Sequence, residues 1–301
     1  MYAITGATGN IGSKTAEILL ARGEKVRVIG RSASRLQRLV EKGAEAAVGD
    51  LKDSSFVARA FTGATAVFAM IPPDYTADNF RAYQNEVGAS LAAGIRESRV
   101  IYVVNLSSQG ADLPEGTGPI MGLRDQEERL NRLDDVNILH LRPTYFMENL
   151  LMNIPLINRM GIAGSAVRGD RKLAMIATRD IAAYLAERLV GRDFRGKKVQ
   201  DLLGQRDLSL SEAIAVIGAK IGKPELKYVQ FSYGDAAKGM TEMGISTDAA
   251  RLLVEMSKAL NDGLFAVNRP RTPENTTPTS IEEFAETFAR EFAASTMHNA
   301  A

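Results

Sequence analysis

The chain has 301 residues, 45% hydrophobic and 24% charged, a balance that suits a soluble globular fold with a sizeable core and excludes a disordered or fibrous one. Its 37 Lys+Arg and 36 Asp+Glu leave a formal net charge of +1, without the concentrated basic surface that a sequence-independent grip on nucleic acid requires. With no cysteine there is no disulfide, thiolate zinc site or cysteine nucleophile, and His140 and His298, the only two histidines, are too few for a histidine metal site.

Residues 2–5 already read as a strand, which leaves no room for a secretory leader. The longest apolar stretch, 145–164, is broken by Glu148, Asn153, Pro155 and Arg159 and does not suit a membrane span; a cytoplasmic protein is expected. Short β-branched runs predict strands at 2–5, 25–29, 44–48, 66–71, 100–105 and 137–141, and amphipathic stretches predict helices at 10–22, 34–42, 54–61, 77–98 and 123–134. Apolar strands alternating with helices indicate an α/β fold, a doubly wound parallel Rossmann sheet covered on both faces. His140 lies in the apolar run 137–141 and reads as a core residue, and His298 lies in the terminal tail.

After Pro143 the rhythm changes. The pattern predicts a long helix at 145–160, a glycine-bearing turn at 161–169, a strand at 173–177, a helix capped by Thr178 or Asp180 and running to Val190, and a strand at 197–202. Helices follow at 209–221, 233–243, 247–260 and 280–293, with a surface loop rich in Pro, Thr and Asn at 268–278. The expected organisation is a dinucleotide-binding Rossmann domain over 1–143, with returns near 173–203, and a smaller, mostly helical lobe from 144–172 and 204–295. A cleft between them is the natural substrate site.

Thr5-Gly6-Ala7-Thr8-Gly9-Asn10-Ile11-Gly12 joins the first strand to the first helix. In such a turn the first glycine permits the tight bend, the second lets the backbone approach a pyrophosphate, and the third lets the helix pack on the sheet; free N–H groups then face the phosphates. Where an acidic residue would hold the ribose hydroxyls of NAD, this sequence has Gly30-Arg31-Ser32, with Arg35 nearby. A planar guanidinium and a hydroxyl suit a 2′-phosphate, so NADP(H) is the expected cofactor. Asp50 and Leu51, after the third strand, either hold the adenine or, for Asp50, cap a helix. Met70, Ile71 and Pro72 end the fourth strand, and Ser107-Ser108 the fifth, on the carboxyl side where ligands bind in this architecture.

TGATGNIG, VIGR at 28–31, GDLKD at 49–53 and NLSS at 105–108 resemble the atypical short-chain dehydrogenases/reductases. LRPTYFMENLL at 141–151, IATRDIA at 176–182 and TPTSIEEF ending at Phe284 narrow the resemblance to the NmrA-like proteins, which include bacterial NADPH-dependent quinone oxidoreductases and NADP-sensing regulators. The resemblance covers nearly the whole chain. It implies cofactor contacts at Gly6, Thr8, Gly9, Asn10, Ile11 and Arg31, adenine near Asp50 and Leu51, and the ribose or nicotinamide end near Met70, Ile71 and Pro72. Pro143, Tyr145 and Phe146 would lie where substrate meets cofactor.

The sequence departs from the wider superfamily at its Tyr-x-x-x-Lys pair, whose places fall near Ile120 and Arg124. Isoleucine has no proton to donate, and arginine stays protonated. Hydride transfer to a quinone makes a smaller demand, because the acceptor is electron-poor and the product hydroquinone can take its proton from water. Tyr145 and Phe146 are candidates to stack on such a ring and Asn149 to bond its carbonyl; Arg124 and Tyr145 are the remaining catalytic candidates. Three readings follow: a reductase passing hydride from NADPH to a quinone or similar acceptor, a non-catalytic NADP(H) sensor with a regulatory protein partner, and a reductase of another conjugated metabolite, whose plant relatives keep the lysine that is Arg124 here. A homodimer through an exposed helix such as 77–98 stays open.

Overall fold

The computed structural model describes residues 1–265 and 270–298. Up to Pro143 the chain alternates strand and helix: β1 (Tyr2–Ile4), α1 (Asn10–Ala21), β2 (Val26–Gly30), α2 (Ala33–Val40), β3 (Glu45–Val48), α3 (Ser54–Phe61), β4 (Ala66–Ala69), α4 (Phe80–Ser98), β5 (Tyr102–Leu106), α5 (Ile120–Asn131) and β6 (Asn137–Pro143). Then come β7 (Tyr145–Phe146), a 3-10 segment (Met147–Asn153), α6 (Ile154–Met160), β8 (Ile162–Ser165), β9 (Lys172–Ile176), α7 (Thr178–Gly191) and β10 (Lys197–Leu202). The described remainder adds β11 (Asp207–Ser209), α8 (Leu210–Lys220), β12 (Lys227–Gln230), α9 (Tyr233–Glu242), α10 (Thr247–Asp262) and α11 (Ile281–His298). No helix among the described residues is long and apolar enough to cross a membrane.

Seven strands pair in parallel in the order β10-β6-β5-β4-β1-β2-β3. Parallel neighbours need crossovers, and the helices supply them while covering both faces. The period-2 alternation of strand side chains sorts the residues. Ile4, Val28, Phe68, Val104 and Leu141 pack against α1, α2 and α7, and Ala3, Ile29, Val67, Val103 and Ile138 pack against α3, α4 and α5. The strand order reverses between β1 and β4, which opens a crevice at their carboxyl ends.

A second apolar cluster gathers Met147, Ile157, Met175, Ile214, Phe284 and Phe288 from the later elements. Two small sheets border it, β11-β9-β7 and β12-β8. The strand expected at 173–177 is therefore present as β9 but lies outside the seven-stranded sheet; the chain returns to that sheet through β10, with α7 packed on its face. The helix expected at 145–160 is corrected: Tyr145 and Phe146 pair with Met175 and Ile176 as a short strand, and α6 restarts with proline in its first turn, where the missing N–H costs nothing. The turn expected at 161–169 contains β8, held in parallel by β12. The loop expected at 268–278 is a loop over its described residues, exposed at 272–274 and Pro278 and anchored inward at two positions. Asn275 and Thr277 are buried, and Leu203 bonds both ways with them, its N–H to the Asn275 carbonyl at 2.6 Å and its carbonyl to the Thr277 N–H at 2.9 Å. Residues 268 and 269 lie outside the described residues, as does the side chain of His298.

The three stretches that carry the family resemblance meet in space. Neither Thr178 nor Asp180 caps α7. Its N-cap position is Ala177, which has no capping side chain. Instead the Glu148 carboxylate accepts from the Thr178 N–H at 3.0 and 3.1 Å and from its hydroxyl at 2.5 Å. An anion at a helix start satisfies free N–H groups and the helix dipole together. Asp180, buried, accepts from the Thr279 N–H at 3.0 Å and hydroxyl at 2.6 Å, and the Arg179 Nε donates to that hydroxyl at 2.8 Å. Residues scattered over more than 100 positions thus tie the 3-10 segment, α7 and the chain leading into α11 together.

His140 is buried in β6 between two amides, with Nδ1 3.1 Å from Asn105 Nδ2 and Nε2 3.0 Å from Asn131 Oδ1. The amide hydrogens of Asn105 donate, so Nδ1 accepts and Nε2–H donates to Asn131 in a neutral ring. Burial is the main influence, and with Arg142 and Lys197 it outweighs Glu127 and lowers the His140 pKa to about 4. The unfolded chain, with a value near ~6.5, binds the extra proton over the interval between. Stability from this histidine is therefore complete above about pH 6.5 and is lost as pH falls toward 4, a difference of about 3 kcal/mol at roughly 1.4 kcal/mol per unit. Denaturant midpoints measured from pH 7 downward will fall more steeply for the native sequence than for His140→Gln; parallel curves would remove His140 from this role.

Candidate functional site

The turn between β1 and α1 sits at the strand-order reversal. Gly6 has φ +61°, a left-handed conformation that glycine adopts without strain. A Cβ there would also lie 2.2 Å from Met70 Sδ, on the loop leaving β4. Thr5 clips the two strand ends together: its hydroxyl donates to the Phe68 carbonyl at 3.0 Å and accepts from the Met70 N–H at 2.9 Å. A Cβ on Gly12 would lie 2.4 Å from the Gly6 carbonyl oxygen, so the helix approaches the turn more closely than a side chain would permit. Gly9 differs, because a Cβ there would meet only the Gly6 oxygen, at 3.4 Å. The chain's own packing does not demand glycine at that position. Its bare backbone leaves open room outside the turn.

Helix α1 starts at Gly9 with no side-chain cap and no acidic residue in its first turn. Its first N–H groups and the positive end of its dipole are thus available to an anion. Thr8, Gly9 and Asn10 are exposed and Ile11 is buried beneath them. At the neighbouring strand end Arg31 and Arg35 are exposed, and neither forms an ion pair among the described residues. Ser32 caps α2, its hydroxyl accepting from the Arg35 N–H at 3.4 Å. Asp74 faces this corner; its bonds to Thr76, with smaller help from Arg31 and Lys52, hold its carboxyl below the usual range. Asp50 does not cap α3. Asp53 does, accepting from Ser55 and Phe56, while Asp50 accepts from the Lys52 N–H at 2.9 Å within its own turn. Leu51 is buried beside it.

The other expected residues lie along the same carboxyl edge: Met70, Ile71 and Pro72 after β4, Ser107 after β5, Pro143 at the end of β6. Tyr83 holds this edge by donating its phenol to the Pro72 carbonyl at 2.9 Å. Ser107 is buried, turned toward Glu127 without closing a hydrogen bond of normal geometry. Glu127 and Arg142 form a bidentate pair at 2.9 and 2.6 Å, with side chains 6% and 12% exposed. Burial alone would raise the Glu127 pKa; the Arg142 bonds, with Ser107 and His140 adding, outweigh it and keep the carboxylate charged. Neither partner stood out in sequence, because an acid on a helix and a base on a strand carry no mark of their pairing.

Three candidates are not brought together as expected. Tyr145 and Phe146 occupy a strand, so their side chains point to opposite faces: Tyr145 packs on the second apolar cluster and Phe146 on the core of the parallel sheet. They cannot both stack on one face of one ring. Burial among apolar groups, with Tyr228 beside it, pushes the Tyr145 phenol above its ordinary range. Asn149 is exposed on the 3-10 segment. Arg124 is turned into the loop after β5, where it donates to the carbonyls of Asp112 at 3.0 Å and Leu113 at 3.2 Å and pairs with Glu128 at 3.0 Å. Ile120 is buried at the start of α5.

Comparison with known proteins agrees with this architecture. An NAD(P)H azoreductase of Xenophilus azovorans is 27% identical over 260 residues, 85% of this chain and 86% of that protein. An NADPH-dependent quinone oxidoreductase of Escherichia coli, solved with NADPH, superposes with a TM-score of 0.72 at 21% identity, over 95% of this chain and 99% of the other. Triphenylmethane reductase of Citrobacter sp., solved with NADP(H), gives 0.80 at 16% identity, over 96% and 100%. The NmrA-like family profile matches residues 2–285, and the chain belongs to that family.

Proposed function

We propose that the protein is an NADPH-dependent oxidoreductase that reduces a quinone or a similarly electron-poor aromatic acceptor. The observation that carries the reading is the uncapped start of α1 beside a glycine turn whose middle glycine the fold itself does not require. The N–H groups of Asn10, Ile11 and Gly12 hold the pyrophosphate. Arg31, with Ser32 and Arg35, holds the 2′-phosphate, since two exposed guanidinium groups without ion pairs stand where NAD-selective folds place a carboxylate. Asp50 and Leu51 flank the adenine, and Met70, Ile71, Pro72, Ser107 and Pro143 line the nicotinamide end. The azoreductase, the quinone oxidoreductase and the triphenylmethane reductase all carry names of reactions with conjugated, electron-poor acceptors, which supports the acceptor class.

When bound, NADPH supplies a hydride. The acceptor gains that hydride and one proton, and becomes the hydroquinone. This chain's residues position the ring against the cofactor, a contribution that proximity alone makes large. The proton comes from water, because Ile120 has none to give and Tyr145 is a weaker acid than an ordinary phenol. Tyr145 serves as an apolar wall with Asn149 at the rim. The engagement of Arg124 with the loop carbonyls also suits a second reading, a sensor that binds NADP(H) without turnover.

Replacing Arg31→Asp will weaken NADPH binding by roughly tenfold or more, the worth of one charge-assisted contact, and will narrow the gap to NADH; calorimetric titration with both dinucleotides reads this, and unchanged NADPH affinity would move the 2′-phosphate elsewhere. Tyr145→Phe will keep turnover with benzoquinone within a few-fold. A loss of ~100-fold or more, the usual size of a general-acid contribution, would instead make the phenol the proton donor.

A further inference from the structure

Two cavities lie in the C-terminal half. The larger, about 650 Å³ between α9 and α10, has its cations satisfied: Arg251 pairs with Asp248 at 2.7 Å, Lys238 with Glu242 at 3.8 Å, and Lys258 lies over the Tyr233 ring at 5.1 Å. The smaller, about 280 Å³, is lined by Arg168, Arg171, Lys172, Leu173, Leu260 and Phe265 among others. Here the cations are not equivalent. Arg168 donates to Asp170 at 3.0 and 2.7 Å, and Lys172 pairs with Glu212. Arg171 is half-buried and forms no ion pair among the described residues. Its guanidinium presses on Gly263, where a Cβ would overlap it. Asp170, also on the cavity wall, attracts Arg171 through space but accepts its hydrogen bonds from Arg168, so the Arg171 guanidinium fork is left to meet an anion between leucine and phenylalanine side chains.

The cavity adjoins the proposed acceptor site on two sides. The Gln109 side-chain amide donates to the Phe265 carbonyl, and the Phe265 ring fills the space beside Gly110. Gln109 also donates its N–H to the Pro143 carbonyl at 3.1 Å, at the end of β6. On the other side, Leu173 lies two residues before Met175, the strand partner of Tyr145. Ligand pockets for whole drug-sized molecules run from roughly 300 Å³ upward, so this space suits a substituted ring edge rather than an entire dye.

We propose that this cavity is a subsite for an anionic substituent, a sulfonate or carboxylate carried on an aromatic acceptor, with Arg171 as its counter-ion. The proposal rests on the acceptor site put forward above. It makes the protein selective for anionic aromatic acceptors over neutral ones of the same ring. The guanidinium fork matches the paired oxygens of either group, and Leu173, Leu260 and Phe265 receive the adjoining ring.

The test begins with binding, which does not depend on turnover. Calorimetry on the NADP⁺-loaded protein will show naphthalene sulfonate binding roughly tenfold or more tightly than naphthol, the size of one charge-assisted contact, with the advantage shrinking as salt is added. Arg171→Ala will abolish the difference and Arg171→Lys will keep part of it, with melting curves reporting that each variant folds. In turnover, the ratio of KM values for a naphthoquinone and its sulfonate will follow the same order across the three proteins. Equal binding of sulfonate and naphthol to the native protein overturns the proposal, as does a folded Arg171→Ala that keeps the preference. If no quinone is reduced while the Arg171-dependent preference persists, the subsite stands and the reductase reading falls.

Discussion

Where β1 gives way to α1, helix and turn meet backbone against backbone. Gly6 turns in a left-handed conformation against Met70, and Gly12 brings the helix against the Gly6 carbonyl. A side chain at Gly12 would push the helix off the turn, and one at Gly6 would be strained and would displace the Met70 side chain beside the two strand ends that Thr5 clips together. That constraint brings the start of α1, uncapped, to the reversal of strand order, where the carboxyl ends of the parallel sheet diverge. The crevice, its exposed N–H groups and the neighbouring arginines all depend on it. Gly9 stands apart because packing leaves it free to carry a side chain, so in the proposed reading its bareness serves the ligand and not the fold.

The segment that follows β6 shows a different economy of residues. Within LRPTYFMENLL, Arg142 pairs with Glu127, the two aromatic residues face different cores, and Glu148 caps α7 from outside the helix. In IATRDIA and TPTSIEEF, Asp180 and Thr279 close the next link. The stretch most diagnostic of the family is thus largely a latch between the parallel sheet and the second cluster. Arg142, Thr144 and Glu148 are bonded to other parts of the chain, and Asn149 is exposed.

The parallel sheet was legible because its inner strands are mostly apolar runs, the edge strands β3 and β10 less so, and its crossovers as far as β6 are helices of ordinary length. The glycine turn was legible because three glycines at fixed spacing have one steric meaning between a strand and a helix. What followed Pro143 was harder to read. The apolar density of 145–160 resembles a helix, and only pairing with residues 175 and 176, thirty positions on, makes Tyr145 and Phe146 a strand. The short strands β8 and β12 lack alternation and are defined by each other. Capping went astray for the same reason: Thr178 and Asp180 have capping side chains, but Glu148 reached the helix start first and Asp180 was drawn to Thr279. Local sequence reports local preference, and these contacts are decided by distant partners. Arg171 carried no signal at all, since an unpaired guanidinium is visible only once its surroundings are known.

In the proposed function this site binds NADPH and passes its hydride to an acceptor ring. The most direct test is an anaerobic single turnover, mixing the preformed NADPH complex with benzoquinone and following the reduced-nicotinamide absorbance against a protein-free control. The account predicts loss of that absorbance faster than the control, one hydroquinone formed per NADPH consumed, and a slower rate with deuterium at the transferred position. Tight NADPH binding with an absorbance that decays no faster than the control would contradict it.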